Sequence, residues 1–190
     1  MEILKKCLRY VRGTINAKIA FKKNTDKYVG LVGCSDASHG SESKRYSQDD
    51  YVFMWNGTPV TWSSRRQKSV SISTFQAEIY GLSETIGEAI WVRRLLADFG
   101  FKVGTLPIYS DNQTSILSAY NLSNHQTSKL IDTRKSFNEE QVTKKLVKLE
   151  YVPTTENIVN LFTKALDGNK MTYLGDKLIQ LDNSGEINES

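Results

Sequence analysis

Cysteine, proline and histidine are scarce in this sequence, and it has no long apolar run. Its 2 cysteines, Cys7 and Cys34, lie far apart, and neither belongs to a Cys-x-x-Cys pair, which argues against a disulfide framework or a zinc site. The N-terminal segment MEILKKCLRY is too polar for a signal peptide or a membrane span. These absences favour a protein of a reducing, intracellular compartment.

Charge is mildly positive, with 25 Lys and Arg residues against 21 Asp and Glu residues and a net charge of +4. That excess permits a polyanionic partner, but it fits an ordinary, slightly basic soluble protein equally well. Hydrophobic residues make up 39% of the 190 residues, which excludes global disorder and suits one domain with extensions.

The hydrophobic periodicity alternates between the period of strands and the period of helices. It predicts a helix over 2–12, strands over 28–33, 51–55 and 59–64, a helix over 74–99, a strand over 106–110, helices over 112–120 and 129–143, a strand over 146–152 and a helix over 155–166. Asn56-Gly57 predicts a tight hairpin turn, and the polar stretch from Ser38 to Gln48 predicts a loop. The order predicts an α/β fold with a mixed five-stranded sheet, an antiparallel meander of three strands plus two parallel strands, flanked by helices.

Three acidic residues lie where sites often form in such a sheet. Asp36 is expected at or just beyond the first strand, Asp111 at the C-terminal end of the fourth strand, and Glu78 in the first turn of the long helix. If the first and fourth strands are adjacent, the three carboxylates approach one another and can hold Mg²⁺, which prefers oxygen ligands. Taken singly, each residue also fits a plain turn or helix-dipole role.

Several blocks of sequence, taken together, carry a family resemblance. They are LKKCLRYVRGT (4–14), GCSDAS (33–38), WSSRRQKSVSISTFQAEIYGLSE (62–84), IYSDNQTSI (108–116) and LEYVPTTENIVNLFTKAL (149–166). In this order they resemble the ribonuclease H domain of copia-type (Pseudoviridae) LTR retrotransposon Pol polyproteins, as a truncated or degenerate copy. The resemblance implies the ribonuclease-H-like fold and hydrolysis of the RNA strand of RNA–DNA hybrids during reverse transcription. It also implies a cofactor of two Mg²⁺ ions, for which Mn²⁺ can substitute.

The resemblance assigns Asp36, Glu78 and Asp111 as catalytic, metal-binding carboxylates. The family's fourth carboxylate position holds Asn160, whose amide can offer a carbonyl oxygen but lacks the charge that holds a cation. Glu156 is four residues earlier, so it could substitute as a ligand from the same helix face or simply cap the helix. Two readings stay open: a working endonuclease, and a catalytically impaired remnant or co-opted nucleic-acid- or protein-binding module.

Some residues outside the carboxylate set are candidates for contacts with a nucleic acid or for proton transfer. Arg65, Arg66 and Lys68 cluster before the long helix and can contact hybrid phosphates, or they form a solvated basic loop. His39 and His125 lie in predicted polar loops, as proton carriers or as exposed histidines. The three tryptophans are expected in the core rather than as stacking platforms; they are Trp55, Trp62 and Trp91.

The resemblance also divides the chain. Residues 1–25 are expected to connect to a missing reverse transcriptase, 26–166 to form the ribonuclease-H-like domain, and 167–190 to form a C-terminal helix and polar tail. The expected partners are an RNA–DNA hybrid and the reverse transcriptase domain of the same polyprotein, with no membrane. The expected location is intracellular, in the cytoplasm within a virus-like particle, in the nucleus, or in both.

Overall fold

The fold is that of a computed structural model, which describes residues 2–19, 21, 30–40, 46–120, 129–163, 166–178 and 180–181. Its elements in chain order are α1 (Glu2–Gly13), β1 (Ala17–Lys18), β2 (Leu31–Ser38), β3 (Gln48–Trp55), β4 (Thr58–Arg66), α2 (Thr74–Asp98), β5 (Leu106–Ser110), α3 (Gln113–Ala119), α4 (Lys129–Thr143), β6 (Val147–Tyr151), α5 (Asn160–Thr163), α6 (Gly168–Leu178) and β7 (Gln180–Leu181).

Five strands form one mixed sheet in the order β4-β3-β2-β5-β6. The strands β2, β3 and β4 are antiparallel neighbours, whereas β5 runs parallel to both β2 and β6. The β3–β4 hairpin turns at Asn56 and Gly57, whose φ angles of 48° and 76° lie in the left-handed region that such a turn requires. The predicted α/β fold with a five-stranded mixed sheet is therefore confirmed. The described residues also include a small two-stranded sheet of β1 and β7, which the sequence did not predict.

Helices cover both faces of the sheet. On one face α2, α3 and α4 bury an apolar cluster around Phe53, Ile86 and Ile108, and on the other α5 and α6 pack against Val52 and Cys34. Since side chains alternate along a strand, the even-numbered residues of β2 and β3 lie on the α5 face and the odd-numbered ones on the α2 face. This alternation decides which helix each polar residue of the two strands meets.

The strands β2 and β3 are longer than the sequence pattern indicates. β2 continues to Ser38 rather than ending at residue 33, and β3 begins at Gln48 rather than at residue 51, so the first and last residues of the predicted Ser38–Gln48 loop belong to strands. Residues 41–45, its middle, lie outside the described residues. The prediction failed because Asp49 and Asp50 are typical of loops, yet both are buried in a strand paired on each side.

The N-terminal helix α1 is confirmed, but its apolar face stays exposed in the described part of the chain. Leu4, Leu8 and Val11 are each 61% exposed. No helix among the described residues is both long enough and apolar enough to cross a bilayer.

Two of the three tryptophans lie outside the core. Trp62 and Trp91 are 52% and 55% exposed, so the expectation of core positions is wrong for both. Trp55 is partly buried against the α2-face cluster, as expected. The prediction of core positions failed for these two residues because Trp62 lies in β4, a strand at the edge of the sheet, and Trp91 lies on the outer side of α2.

Candidate functional site

Asp36 lies inside β2 rather than beyond its end. Its side chain is buried, with 3% exposed, and its even number places it on the α5 face of the sheet. The strand is central in the sheet, with β3 on one side and β5 on the other. A carboxylate in this position is held by neighbours on both sides rather than by a flexible turn.

Asp111 follows directly after β5, at the level of Asp36. The parallel register pairs Ser35 with Ser110, so the residues after each are neighbours across the two strands. Asn112 fixes the turn beyond: its Oδ1 accepts a hydrogen bond from the Ser115 backbone N–H at 2.9 Å and caps α3. The predicted adjacency of the first and fourth strands is therefore confirmed, and it brings the backbones of these two acidic residues together.

Glu78 reaches the same region from α2, which packs on the opposite face of the sheet. It is buried, with 8% exposed, and lies in the first turns of a helix that Ser73 caps by accepting from the Gln76 backbone N–H. Gly81, one turn later, allows the close approach: a Cβ there would lie 2.9 Å from the Ala37 Cβ and 3.7 Å from the Asp36 carbonyl oxygen. The position of Glu78 thus depends on a small residue against β2.

Replacing Gly81 by alanine tests this packing. We expect Gly81→Ala to lower the free energy of unfolding by about 1–3 kcal/mol, because the new methyl group overpacks the helix against Ala37 and Asp49. Gly87→Ala in the same helix is the matched control, since nothing lies within 4 Å of its Cβ position. It is expected to raise stability by about 0.5–1 kcal/mol through helix propensity. Urea unfolding measures both, and equal stabilisation by the two variants would contradict the close packing.

Asn160 begins α5 and is buried, with 3% exposed. Its Nδ2 donates to the Thr154 carbonyl oxygen, and its backbone N–H donates to the Asn157 carbonyl oxygen at 3.1 Å. Asn157 in turn donates from Nδ2 to the carbonyl oxygen of Ser35 at 3.0 Å. Asn157 therefore ties the start of α5 to the residue before Asp36. Sequence reasoning gave Asn157 no role, because its partner is 122 residues away.

The predicted helix over 155–166 is wrong in most of its length. Residues 154–159 form turns, in which the Pro153 carbonyl oxygen accepts from the backbone N–H groups of Glu156 and Asn157. Only Asn160–Thr163 is helical, and residues 164–165 lie outside the described residues. Because Glu156 lies in these turns, the alternative that it shares a helix face with Asn160 is also wrong. Its carboxylate instead accepts hydrogen bonds from Lys177 and Tyr173 of α6.

The sequence-predicted carboxylates are neighbours without forming a closed cluster. Among the described residues, no group of three or more His, Cys, Asp or Glu side chains lies close enough together to hold a metal ion as it stands. Asp36 lies on the α5 face of the sheet, whereas Glu78 approaches from α2 on the other face. His39 lies 3.5 Å from the Ser47 hydroxyl oxygen through Nδ1, and His125 is outside the described residues.

Two further acidic residues of β3 lie next to these carboxylates, and neither was predicted as part of a site. Burial raises the pKa of Asp49 to about 6, although Gln67 donates to its Oδ1. Burial also raises the pKa of Asp50, and the nearby charge of Asp36 raises it further. β3 therefore carries one buried acid on each face, Asp50 on the α5 face with Asp36, and Asp49 on the α2 face.

The basic residues before α2 differ in their contacts. Arg65 pairs with Glu84 at 2.8 Å, and Glu84 also binds Arg134. The Arg66 guanidinium lies over the Tyr46 ring, 5.6 Å from its centroid. Lys68 is exposed. Arg66 and Lys68 are thus more available to an anionic partner than Arg65.

No protein-family model matches the chain. It is similar to the retrovirus-related Pol polyprotein from transposon TNT 1-94 of Nicotiana tabacum, with 32% identity over 89% of this chain and 13% of that polyprotein. It is also similar to the retrovirus-related Pol polyprotein from transposon RE1 of Arabidopsis thaliana, with 29% identity over 94% of this chain and 12% of the relative. The chain therefore spans only 12–13% of the length of these relatives.

Solved structures share the fold at low sequence identity. The N-terminal RNase H domain of rv2228c from Mycobacterium tuberculosis, fused to maltose binding protein, aligns with a TM-score of 0.55 and 12% identity over 78% of this chain and 98% of that chain. LC11-RNase H1 in complex with an RNA/DNA hybrid aligns with a TM-score of 0.50 and 11% identity over 67% of this chain and 88% of that chain. At these identities the likeness shows the fold alone.

Proposed function

We propose that this chain hydrolyses the RNA strand of RNA–DNA hybrids. The premise is that it is homologous to a segment of copia-type retrotransposon Pol polyproteins and has the ribonuclease H fold. The observation that carries the proposal is the register of β2 and β5. It pairs Ser35 with Ser110 and so sets Asp36 beside Asp111. Glu78 approaches the same strand where Gly81 lets α2 come close.

The donor set fits Mg²⁺ or Mn²⁺, because all three residues offer carboxylate oxygens. We propose that Asp36, Glu78 and Asp111 hold two such ions and that Asn160 contributes an amide oxygen without charge. When bound, the ions activate a water and stabilise the leaving oxygen of the phosphodiester. The protein holds Asp36 in a paired strand and Asp111 in a capped turn, so two of the three ligands are fixed by backbone hydrogen bonds.

The proposed substrate is an RNA–DNA hybrid bound through its backbone. The solved LC11-RNase H1 complex holds such a hybrid, and the hybrid's A-like minor groove presents shape and 2′-hydroxyls rather than sequence. We propose Arg66 and Lys68 as phosphate contacts, with Arg65 contributing once its pair with Glu84 opens.

The other proposed partner is the reverse transcriptase domain of the same polyprotein, in a virus-like particle in the cytoplasm, in the nucleus, or in both. Co-sedimentation of the chain with particles that carry polymerase activity tests this location. Recovery of the chain in particle-free fractions only would contradict it.

The salt dependence of binding tests the basic contacts. We expect Arg66→Gln and Lys68→Gln each to reduce the slope of log affinity against log salt by about 0.9, the value for one lost phosphate contact. Lys144→Gln is the matched control, since Lys144 is an exposed lysine that pairs with Glu140 on α4. Fluorescence anisotropy on a labelled hybrid in Ca²⁺ measures the slopes. Unchanged slopes for both variants would remove these residues from the interface.

The activity itself is tested on one nucleotide sequence that is prepared as three different duplexes. A hybrid, an RNA duplex and a DNA duplex are incubated with the purified chain and Mg²⁺ or Mn²⁺. We expect cleavage of the RNA strand in the hybrid only, and none in EDTA. Absence of hybrid cleavage at high enzyme concentration with both metals would contradict the proposal.

A second candidate function follows from Asn160, which lacks the charge of a carboxylate. It is a non-catalytic remnant, or a module that binds nucleic acid or protein without cutting. This candidate predicts hybrid binding without turnover in either metal, so the three-substrate assay separates it from the nuclease.

A further inference from the structure

Asp50 in β3 lies directly opposite Asp36 in β2. The antiparallel register pairs the two residues, so their side chains emerge on the same face of the sheet, with Cβ atoms about 4.5–5.5 Å apart. Both are buried, Asp50 with 1% and Asp36 with 3% exposed. Like charges directly opposite each other in a sheet are unfavourable. The register therefore places two buried acids directly opposite each other on one face of the sheet.

Two side chains, Ser64 and Gln48, lie against the Asp50 carboxylate and lower its pKa. Its Oδ1 accepts a hydrogen bond from Gln48 Nε2 at 3.1 Å. Its Oδ2 is buried and has no hydrogen-bond partner in the described part of the chain. Buried polar atoms in proteins are nearly always paired, so Asp50 Oδ2 is open to a partner from outside the chain, such as a water or a cation.

Asp50 also lies under the element that carries Asn160. Its neighbours on the same face of β3 are Gln48 and Val52, and both contact α5 or the turn before it. Gln48 Nε2 donates to the Phe162 carbonyl oxygen at 3.1 Å, and Val52 packs in the apolar cluster with residues 158 and 159. The charge missing at Asn160 is therefore present on the strand directly beneath α5.

We infer that Asp50 is an additional metal-ligating carboxylate, which with Asp36 supplies a divalent cation with the negative charge that Asn160 lacks. The inference rests on the proposed function, since it assigns a ligand to the same metal centre. The ligand class is a hard divalent cation, Mg²⁺ or Mn²⁺, because Asp50 and Asp36 would ligate it through carboxylate oxygens. Asp50 was not predicted as a site residue because it lies just before the predicted strand 51–55 and outside the family blocks that assign the carboxylates.

The same geometry also fits a neutral, purely structural carboxyl group at Asp50. The two roles differ in what the isosteric change to asparagine does. A structural, protonated Asp50 loses nothing toward a cation when it becomes an amide. A ligating Asp50 loses metal affinity, while the metal-free protein keeps or gains stability because one buried acid is removed.

Mn²⁺ binding to the full chain, without nucleic acid, is the experiment. Calorimetric titration and the loss of the free Mn²⁺ signal in electron paramagnetic resonance give the affinity of each variant. We expect Asp50→Asn to weaken Mn²⁺ binding by about tenfold or more. Asp98→Asn is the matched control, because it makes the same change of acid to amide at the exposed far end of α2, and it is expected to bind Mn²⁺ within about twofold of wild type.

A rescue variant keeps the test decisive. Asp50→Asn combined with Asn160→Asp returns one carboxylate to the centre and is expected to recover most of the lost affinity. Wild-type affinity in Asp50→Asn, with folding confirmed by melting in EDTA, would overturn the inference. If the wild-type chain still cleaved hybrids, the proposed function would stand and only the role of Asp50 would fall. A wild-type chain that neither binds Mn²⁺ nor cleaves would overturn both.

Discussion

Asp36→Asn is expected to reduce hybrid cleavage by roughly a hundredfold or more, since a ligating charge worth several kcal/mol in the transition state is lost. The amide has the same shape and keeps the strand intact. Because Asp36 lies in a strand that is paired on both sides, the metal-free variant is expected to fold and to melt cooperatively. Single-turnover cleavage of a labelled hybrid and thermal melting in EDTA measure the two effects.

Asp98→Asn is the control for this substitution. Asp98 is exposed at the far end of α2, and the same change of acid to amide there is expected to leave cleavage within about twofold of wild type. If Asp36→Asn cleaved the hybrid at the wild-type rate, the catalytic centre could not include Asp36 of β2. That result would leave the fold assignment untouched, since the assignment rests on the sheet topology.

Asn160→Asp is expected to act in opposite directions with and without metal. With Mg²⁺ or Mn²⁺, the added charge is expected to tighten binding about ten- to a hundredfold, as ligand charge sets cation affinity. Without metal, the variant is expected to be less stable by about 1–3 kcal/mol. The aspartate cannot donate the hydrogen bond that Asn160 Nδ2 gives to Thr154, and it joins an already acidic centre.

Thermal melting in EDTA and in saturating Mn²⁺ separates these two effects in one instrument. The expected pattern is a lower melting temperature than wild type in EDTA and a larger gain on adding Mn²⁺. Asn138→Asp is a useful contrast, because Asn138 is also fully buried but lies on α4, among the helices of the other face. If Mn²⁺ raised the melting temperature of Asn160→Asp by no more than it raised that of Asn138→Asp, a metal centre at α5 would be contradicted.

Local sequence signals predicted most of the framework that carries the site. Asn56-Gly57 specifies its hairpin through left-handed backbone angles, and Ser73 and Gly100 mark the ends of the long helix. The strand Leu106–Ser110 and the helix Lys129–Thr143 have the bounds that the pattern predicts. These elements depend on residues close together in the chain, and such signals can be read from sequence.

The parts of the site that sequence did not predict depend on contacts between distant residues. Asp50 is polar and follows a charged stretch, so only its pairing with Asp36 and Ser64 shows that it belongs to a strand. The turns before α5 replace a predicted helix because Asn157 binds the carbonyl oxygen of Ser35. No local pattern encodes either contact, and both lie at the centre of the proposed chemistry.

The chemical form of the cleaved ends tests the central claim most directly. Attack by water on the phosphorus, with departure of the 3′ oxygen, leaves a 3′-hydroxyl on one RNA fragment and a 5′-phosphate on the other. Attack by the RNA's own 2′-hydroxyl, which needs no metal centre, leaves a 2′,3′-cyclic phosphate and a 5′-hydroxyl instead. Mass spectrometry of hybrid cleavage products is expected to show 3′-hydroxyl and 5′-phosphate ends that depend on Mg²⁺ or Mn²⁺ and on Asp36. Cyclic phosphate ends, or products that persist in EDTA, would contradict the account.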